Sequence, residues 1–337
     1  MDNIRVEYDK EKDTIRIIAQ DKDLNSPFAL GVQKGGKLEQ DLRALLASKG
    51  ITKEIAPAVI NLQDKKISNL VIQPQGKIPL FNPEKKGQVI TLTSARSGVG
   101  KSTAAIMFGG ALARTQEFNS ITDPYKICVV DFDVADGSLG HIVKSDKQGS
   151  LGIYESGKID KETILRHTYY DTSLGIYVIP ISLTNNIEAI NYLGEQFFTK
   201  LLKELKEIFH LVVIDTASND LAHTNDLAYN NSDVIILASS FDRSTYYSVN
   251  TWLKTFTQKE MLNRITVLLS STPKLQAEAN MRELKGLFNP LSIIGNIPMD
   301  SVSILNSLKN RNLGGLFETD NKVAEAYEIV ASRMLQK

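Results

Sequence analysis

The residues best suited to chemistry lie in one short run, residues 89–112, which reads VITLTSARSGVGKSTAAIMFGGAL. An apolar strand pattern leads into a loop of small residues, and a helix-forming stretch follows at once. This order is typical of a phosphate-binding loop, because backbone N–H groups of the loop and of the helix N-terminus converge on an anion. Lys101 would reach the terminal phosphates of a nucleotide, and the Ser102 hydroxyl would ligate Mg²⁺.

The loop departs from the regular pattern G-x-x-x-x-G-K-[ST] at its first position. Ala95 stands where that pattern has glycine, and the basic residue Arg96 follows it directly. A glycine-rich turn with a chance lysine is the alternative interpretation. The apolar strand before the loop and the helical run after it favour the phosphate loop.

Two further segments carry carboxylates behind apolar strands, CVVDFDVADGSLG and HLVVIDTASND. Asp131 and Asp133 end the first strand, and residues two apart on a strand point to the same side, so both are expected to address one metal-and-water cluster. Asp215 follows four apolar residues, and an acidic residue at such a strand end typically holds Mg²⁺ through water. For each aspartate alone, a purely structural role as a helix cap or a solvated strand end is as well supported as a metal site. Their order behind a phosphate loop predicts a metal site.

The strands and helices that must position these residues are predicted from residue 88 onward. Continuous apolar runs rich in Val and Ile alternate with helical stretches such as GEQFFTKLLKELKEIF. Runs of this kind are typical of a parallel sheet with helices on both faces. The predicted strands are QVITLTS, YKICVVDFD, GIYVIPIS, HLVVIDTA, DVIILASS, ITVLLSS and SIIGNIP. The pattern predicts a doubly wound α/β domain with its site at the carboxyl ends of the strands.

The first 75 residues differ from the rest and show no recognisable chemistry. IRVEY and TIRIIA read as a hairpin, LEQDLRALLASKG reads as a helix that Gly50 ends, and PAVINL and NLVIQ read as strands. Residues 1–75 are therefore predicted to form a small α+β module of ββαββ type. Residues 76–87 hold two prolines and a charge cluster, which indicates a linker, and residues 88–337 form the main domain.

Composition is that of an ordinary globular protein of 337 residues, with 42% hydrophobic residues and 39 basic against 39 acidic side chains. A net charge of zero gives no strong sign of nucleic-acid binding. No apolar run approaches the roughly 18 residues of a membrane span. The single cysteine, Cys128, is expected to be a buried strand residue, and the C-terminal stripe Val323, Tyr327, Val330 and Met334 is expected to pack in the core. We expect a cytoplasmic protein.

These motifs together resemble the ParA/MinD family of deviant Walker A P-loop ATPases. The family loop K-G-G-x-G-K-[ST]-T is matched by residues 96–103, and DFDVADGSLG, VVIDTASND and GNIPMDSVSILNSLKNRNLGG are similar to three later family segments. The resemblance covers residues 88–337. The stretch LGIYESGKIDKETILRH…GIYVIPIS is closer to the MinD and TadZ/CpaE-like branches than to plasmid ParA.

The resemblance implies ATP and Mg²⁺ as cofactors. It places the phosphates on Ser97, Gly98, Val99, Gly100, Lys101, Ser102 and Thr103, and the metal on Ser102, Asp131 and Asp215. It assigns catalytic roles to Lys101, Asp133 and Arg96, with Asp133 orienting the attacking water, and it places adenine near Ser270, Pro298, Met299 and Asp300. The GTP-type motif N/T-K-x-D is absent from LLSSTPK, which favours ATP.

Arg96 stands where the family has its signature lysine, which reaches the phosphates of the partner in a nucleotide-sandwich dimer. Arginine keeps the charge and adds a planar fork that suits phosphate oxygens, so the trans contact is the favoured interpretation and a solvent-facing charge is the alternative. Ser97 replaces a family glycine and is expected to restrict positive φ at that position.

The leading functional hypothesis is a slow, partner-stimulated ATPase that forms an ATP-dependent homodimer. Such a switch would position or assemble a cellular cargo in partition, division, a flagellum, a pilus or a secretion apparatus, with residues 1–75 as adaptor for an unidentified protein partner. A nucleotide-sensing, non-catalytic scaffold of a pilus or secretion system is the alternative. A tyrosine autokinase is disfavoured, because Tyr327 stands alone where such kinases have a tyrosine cluster.

Overall fold

The computed structural model describes residues 4–9, 14–19, 80–134, 137–181, 193–218, 223–240, 248–249, 251–253, 261–272, 288 and 291–335. Its contacts divide the chain into two units, Met1–Leu70 and Val71–Lys337. In the first unit, strands β1 (Ile4–Asp9) and β2 (Thr14–Ala19) pair antiparallel, as the hairpin pattern predicts. The helix and strands predicted after this hairpin lie outside the described residues. The division into 1–75, 76–87 and 88–337 therefore stays a prediction.

The described part of the second unit contains an eight-stranded sheet with the order β10-β9-β8-β3-β7-β4-β6-β5. Its strands are β3 (Gln88–Thr93), β4 (Ile127–Asp131), β5 (Tyr169–Asp171), β6 (Ile176–Ile179), β7 (Leu211–Asp215), β8 (Val234–Ser239), β9 (Ile265–Thr272) and β10 (Ser292–Pro298). Neighbours pair parallel except β5 with β6. The predicted doubly wound, mostly parallel sheet is confirmed. The edge strand β5 was not predicted, because three residues carry no readable alternation.

Helices occupy both faces of this sheet. They are α1 (Lys101–Ala113), α2 (Gln116–Ser120), α3 (Leu139–Ile142), α4 (Gly149–Glu155), α5 (Lys161–Arg166), α6 (Glu195–Ile208), α7 (His223–Asn231), α8 (Ser301–Lys309) and α9 (Lys322–Met334), with 3₁₀ turns at Leu262–Arg264 and Gly314–Glu318. Within the described ranges, no helix has both the length and the apolar character that a bilayer crossing requires.

The central strands β3, β4 and β7 are buried along their whole length. Successive side chains of a strand point to opposite faces, and each face here is covered, so β4 and β7 are apolar up to their terminal aspartates and the polar residues of β3 are buried as well. On one face α1 and α9 share a core cluster, and on the other α6 packs in a second cluster. The predicted core stripe of α9 is confirmed, since all four of its members are buried. Cys128 is buried in β4, also as expected.

The order of the central strands decides where the chemistry-bearing residues meet. β3 lies between β7 and β8, and β7 lies between β3 and β4. Asp215 is the register partner of both Leu92 in β3 and Asp131 in β4. Because parallel strands end at the same edge, the two aspartates lie side by side where the loop after β3 begins.

Candidate functional site

The loop between β3 and α1 has the backbone form that its glycines permit. Gly98 and Gly100 adopt φ values of 78° and 82°, in the left-handed region that favours glycine. A Cβ added at either glycine would meet nothing within 4 Å, so open space lies beside this backbone. Ser97 does not have positive φ, so the restriction expected there does not apply. The loop and the N-terminus of α1 thus present backbone to open space, as an anion site requires.

Lys101 is the first residue of α1 and is paired with the end of β7. Its Nζ lies 2.6 Å from Oδ1 of Asp215, and the two side chains are 5% and 0% exposed. A lysine ammonium has three donors, and this contact uses one of them. Lys101 can therefore keep Asp215 and still donate to phosphate oxygens.

Asp131 ends β4 and is completely buried. Its Oδ1 accepts the N–H of Asp133 at 2.9 Å, and its Oδ2 accepts the N–H of Leu139 at 3.2 Å. Burial and the neighbouring charge of Asp215 raise the pKa of Asp131, against the opposing effect of these hydrogen bonds and of Lys101. The carboxylate thus holds the loop after β4 in place beneath the start of α1.

Asp133 lies in the loop after β4, which ends at Asp131. The expectation that Asp133 lies on the same strand as Asp131 is therefore wrong, and strand alternation does not determine where its carboxylate points. Its side chain is only 5% exposed. The backbone hydrogen bond to Asp131 nevertheless keeps Asp133 beside the other carboxylates.

The residues expected to hold magnesium supply oxygen atoms at the start of α1 and at the ends of β4 and β7. The Ser102 hydroxyl accepts a hydrogen bond from Ser138 at 2.7 Å, and Oδ2 of Asp215 is a buried oxygen without a hydrogen-bond partner. Among the described residues, no group of three His, Cys, Asp or Glu side chains could bind a metal alone. Mg²⁺ usually combines one or two carboxylates with waters and substrate phosphates, so these residues fit an ion that shares its ligands with a nucleotide.

A cavity of about 210 Å³ lies beside the glycine loop after β3. Gly100 and Thr103 form one side of it, and Ser270, Pro298 and Asp300 form another. Most of the remaining wall is apolar and comes from α8 and α9. A concave, largely apolar pocket with a few polar groups is the usual form of a small-molecule site, and its place here suits a nucleotide base.

The residues expected near adenine differ in their relation to this cavity. The Ser270 hydroxyl donates to the carbonyl of Val99, which ties the loop to β9. Asp300 caps α8 by accepting the N–H of Ser303 at 3.0 Å, and hydrogen bonds from Ser303 hold the pKa of Asp300 below its ordinary value. Met299 does not line the cavity, and its side chain is 56% exposed.

The sequence pattern did not predict that α8 and α9 form part of the cavity wall. Ile304 and Leu305 of α8 and Val323 and Tyr327 of α9 line the cavity. Val323 and Tyr327 belong to a stripe that indicated only core packing. A tyrosine among aliphatic residues was the one available signal, since its hydroxyl needs a polar partner. Arg96, expected to act in trans, is exposed on the outer part of the loop.

Comparison with known sequences gives one weak relative. No family model matches the chain. An uncharacterized ATP-binding protein of Methanocaldococcus jannaschii is 26% identical over 127 residues. The match spans 38% of this chain and 43% of that protein, less than half of its length.

Several solved structures are similar to this chain over a longer stretch than the sequence relative is. A ParA family ATPase from Chlorobium tepidum superposes with a TM-score of 0.63 at 16% identity and covers 73% of this chain and 99% of its own. The septum site-determining protein MinD from Pyrococcus horikoshii, complexed with Mg-ADP, gives 0.58 at 18%, covering 72% and 94%. The MinC:MinD cell division complex of Aquifex aeolicus gives 0.56 at 17%, covering 73% and 95%. The resemblance that the motifs predicted is confirmed at the level of the fold: this chain is built as the ParA/MinD ATPases are.

Proposed function

We propose that the protein is a magnesium-dependent ATPase that acts as a nucleotide-controlled switch. The observation that carries this proposal is the meeting of Lys101, Asp131 and Asp215 under a glycine loop that faces open space, next to a pocket of suitable size for a base. The ATP-binding relative and the MinD structure with Mg-ADP support the choice of ligand.

In this proposal each residue supplies positioning or charge stabilisation. Lys101 and the loop N–H groups hold the phosphates, while Ser102, Asp131 and Asp215 hold Mg²⁺, which neutralises developing charge when bound. Asp133 orients the attacking water, and its burial beside Asp131 fixes its place. Transfer of a phosphoryl group to water needs little covalent chemistry, so these effects are sufficient.

The switch would operate through an ATP-dependent homodimer with Arg96 reaching the partner's phosphates. Arg96 lies on the exposed side of the loop. Three large apolar side chains near the cavity are also exposed: Met299 at 56%, Val302 at 72% and Leu305 at 64%. Exposed apolar groups that lie together mark interaction surfaces in many proteins. The surface around the site therefore suits contact with protein.

The cargo of this switch would be a cellular structure that must be positioned or assembled in the cytoplasm. MinD of Pyrococcus is named a septum site-determining protein, and the Aquifex MinD was solved with a protein partner, MinC. By analogy, the partner of this chain would stimulate slow hydrolysis, and residues 1–75 would be its adaptor. Partition, division, flagella, pili and secretion machines are the candidate cargoes.

A non-catalytic, nucleotide-sensing scaffold is the second candidate. The observation that favours it is the altered loop, in which Ala95, Arg96 and Ser97 replace the family residues. The complete set of Lys101, Ser102, Asp131 and Asp133 favours hydrolysis instead.

Phosphate release and molecular mass, measured with and without ATP, test the proposal. We expect ATP to double the mass of the wild type, and we expect Arg96→Ala to lose this doubling and its phosphate release while it retains ATP affinity. Arg96→Lys should restore both. Arg166→Ala removes another exposed arginine, one that pairs with Glu162 on α5, and should behave as the wild type.

Two results would contradict the proposal in different ways. Phosphate release by the wild type no faster than by Asp133→Ala would favour the scaffold. An Arg96→Ala protein that still doubles its mass with ATP would remove the trans role and leave the ATPase intact.

A further inference from the structure

Tyr327 combines deep burial with an unused hydrogen-bonding group. Its side chain is 3% exposed, and burial is the sole cause of the rise in its pKa. Among the described residues the hydroxyl makes no hydrogen bond, and it is not one of the atoms sealed from solvent. Tyr327 lines the cavity beside the candidate phosphate loop, so the cavity is the place where a ligand could meet this hydroxyl.

A tyrosine hydroxyl without a hydrogen-bond partner in a buried site raises the free energy of the folded protein unless a ligand or a water molecule bonds to it. A buried polar group without a partner loses about 1–3 kcal/mol relative to a bonded one. The wall around Tyr327 is mostly apolar, with Ile297, Ile304, Leu305 and Val323 as neighbours. Few protein groups therefore compete for this hydroxyl, which can donate or accept a hydrogen bond.

Tyr229 is a second buried tyrosine, and it differs from Tyr327 in the hydrogen bonding of its hydroxyl. The hydroxyl of Tyr229 is bonded to the hydroxyl of Thr93 at 2.7 Å, so its polar tip is satisfied within the protein. Tyr229 is 4% exposed, which is close to the value for Tyr327. The two residues are buried to nearly the same degree, and of the two only Tyr327 lines the cavity and has a hydroxyl without a protein partner among the described residues.

We propose that the Tyr327 hydroxyl hydrogen-bonds the edge of the nucleotide base and contributes to the choice of base. The proposal rests on the proposed nucleotide site and extends it to the C-terminal helix. A flat base fits between the apolar residues of α8 and α9, and one convergent polar group fixes its orientation. A ligand that lacks a base would not reach this group.

Tyr327→Phe in the full chain tests the assignment, because it removes only the hydroxyl and keeps the ring. We expect the affinity for ATP and for ADP to fall by the same factor, about fivefold, as for one neutral hydrogen bond. Affinity for inorganic tripolyphosphate, which has no base, should not change. The preference for ATP over GTP should fall. The melting temperature without nucleotide should stay the same or rise, since no protein hydrogen bond is lost.

Tyr229→Phe is the matched control. It should lower the melting temperature and leave the ratio of ATP to tripolyphosphate affinity at the wild-type value. The assignment is overturned if Tyr327→Phe binds ATP as the wild type does and keeps its base preference. It is also overturned if ATP and tripolyphosphate affinities fall equally, which indicates a structural role. A wild type that binds no nucleotide at all overturns the proposed function as well.

Discussion

The phosphate end and the base end of the candidate site differ in how their polar groups are satisfied. At the phosphate end, Lys101 and Asp215 are bonded to each other and Asp131 accepts two backbone N–H groups. At the base end, a cavity of about 210 Å³ has mostly apolar walls, and the hydroxyl of Tyr327 has no partner among the described residues.

This difference predicts that substitutions at the two ends affect the stability of the protein and its nucleotide affinity to different degrees. Groups at the phosphate end join α1 to β7 and hold the loop after β4, so their removal should reduce the free energy of unfolding as well as the proposed nucleotide affinity. At the base end, the Tyr327 hydroxyl bonds to no protein group among the described residues, so its removal should act on affinity alone, whereas Asp300 also caps α8.

Lys101→Ala should have the largest effect. It leaves the completely buried Asp215 without its cation, and breaking a buried ion pair costs about 3 kcal/mol in free energy of unfolding. ATP binding should be abolished. Lys86→Ala breaks an exposed pair with Asp123 and should cost less than about 1 kcal/mol, without effect on ATP. Denaturant unfolding and calorimetric titration measure both quantities. Retained ATP affinity in Lys101→Ala would refute the site.

Gly100→Ala should have the next largest effect. Alanine at a φ of 82° costs about 1 kcal/mol, and its Cβ would enter the open space where phosphate is expected, so ATP affinity should fall severalfold. Gly157→Ala has a φ of 69° and equally open surroundings. It should lose similar stability and keep its ATP affinity. Equal ATP affinities in the two variants would show that the loop does not bind phosphate.

Asp300→Ala should have the smallest effect of the three and tests the base end. It removes the cap of α8, which costs about 1 kcal/mol, and should weaken ATP binding slightly while tripolyphosphate binding is unchanged. Asp160→Ala removes the equivalent cap of α5 and should leave both ligands unaffected. Weakened binding of tripolyphosphate in Asp300→Ala would contradict the separation of the two ends.

The cap also predicts a pH dependence. Hydrogen bonds from Ser303 hold the pKa of Asp300 below its ordinary value, so the stabilisation is complete above about pH 4 and is lost as the pH falls through the folded-state pKa. The stability difference between wild type and Asp300→Ala should therefore be largest near neutral pH and vanish in acid. Unfolding measured from pH 7 to pH 2 checks this.

Most of the main domain could be predicted from local pattern. The seven strand segments from QVITLTS to SIIGNIP all form strands, because runs of Val and Ile that are buried on both faces have few other stable conformations. The edge strand β5 was missed because it is short and only partly buried. Asp133 was misplaced because sequence does not show that β4 ends at Asp131, where the carboxylate turns to bind the loop.

The sequence by itself determined the glycine loop after β3, the seven longer strands of the sheet and the aspartates at the ends of β4 and β7, since each depends on residues that are near one another in the chain. The tertiary structure decided what depends on distant segments: the pairing of Lys101 with Asp215, and the cavity that α8 and α9 complete beside Gly100. Helical spacing shows that Tyr327 faces inward, but only the packing of α9 against α1 shows that it lines a cavity. Burial and ligand contact give the same periodic signal in a sequence, because both place a side chain on the inner face of a helix.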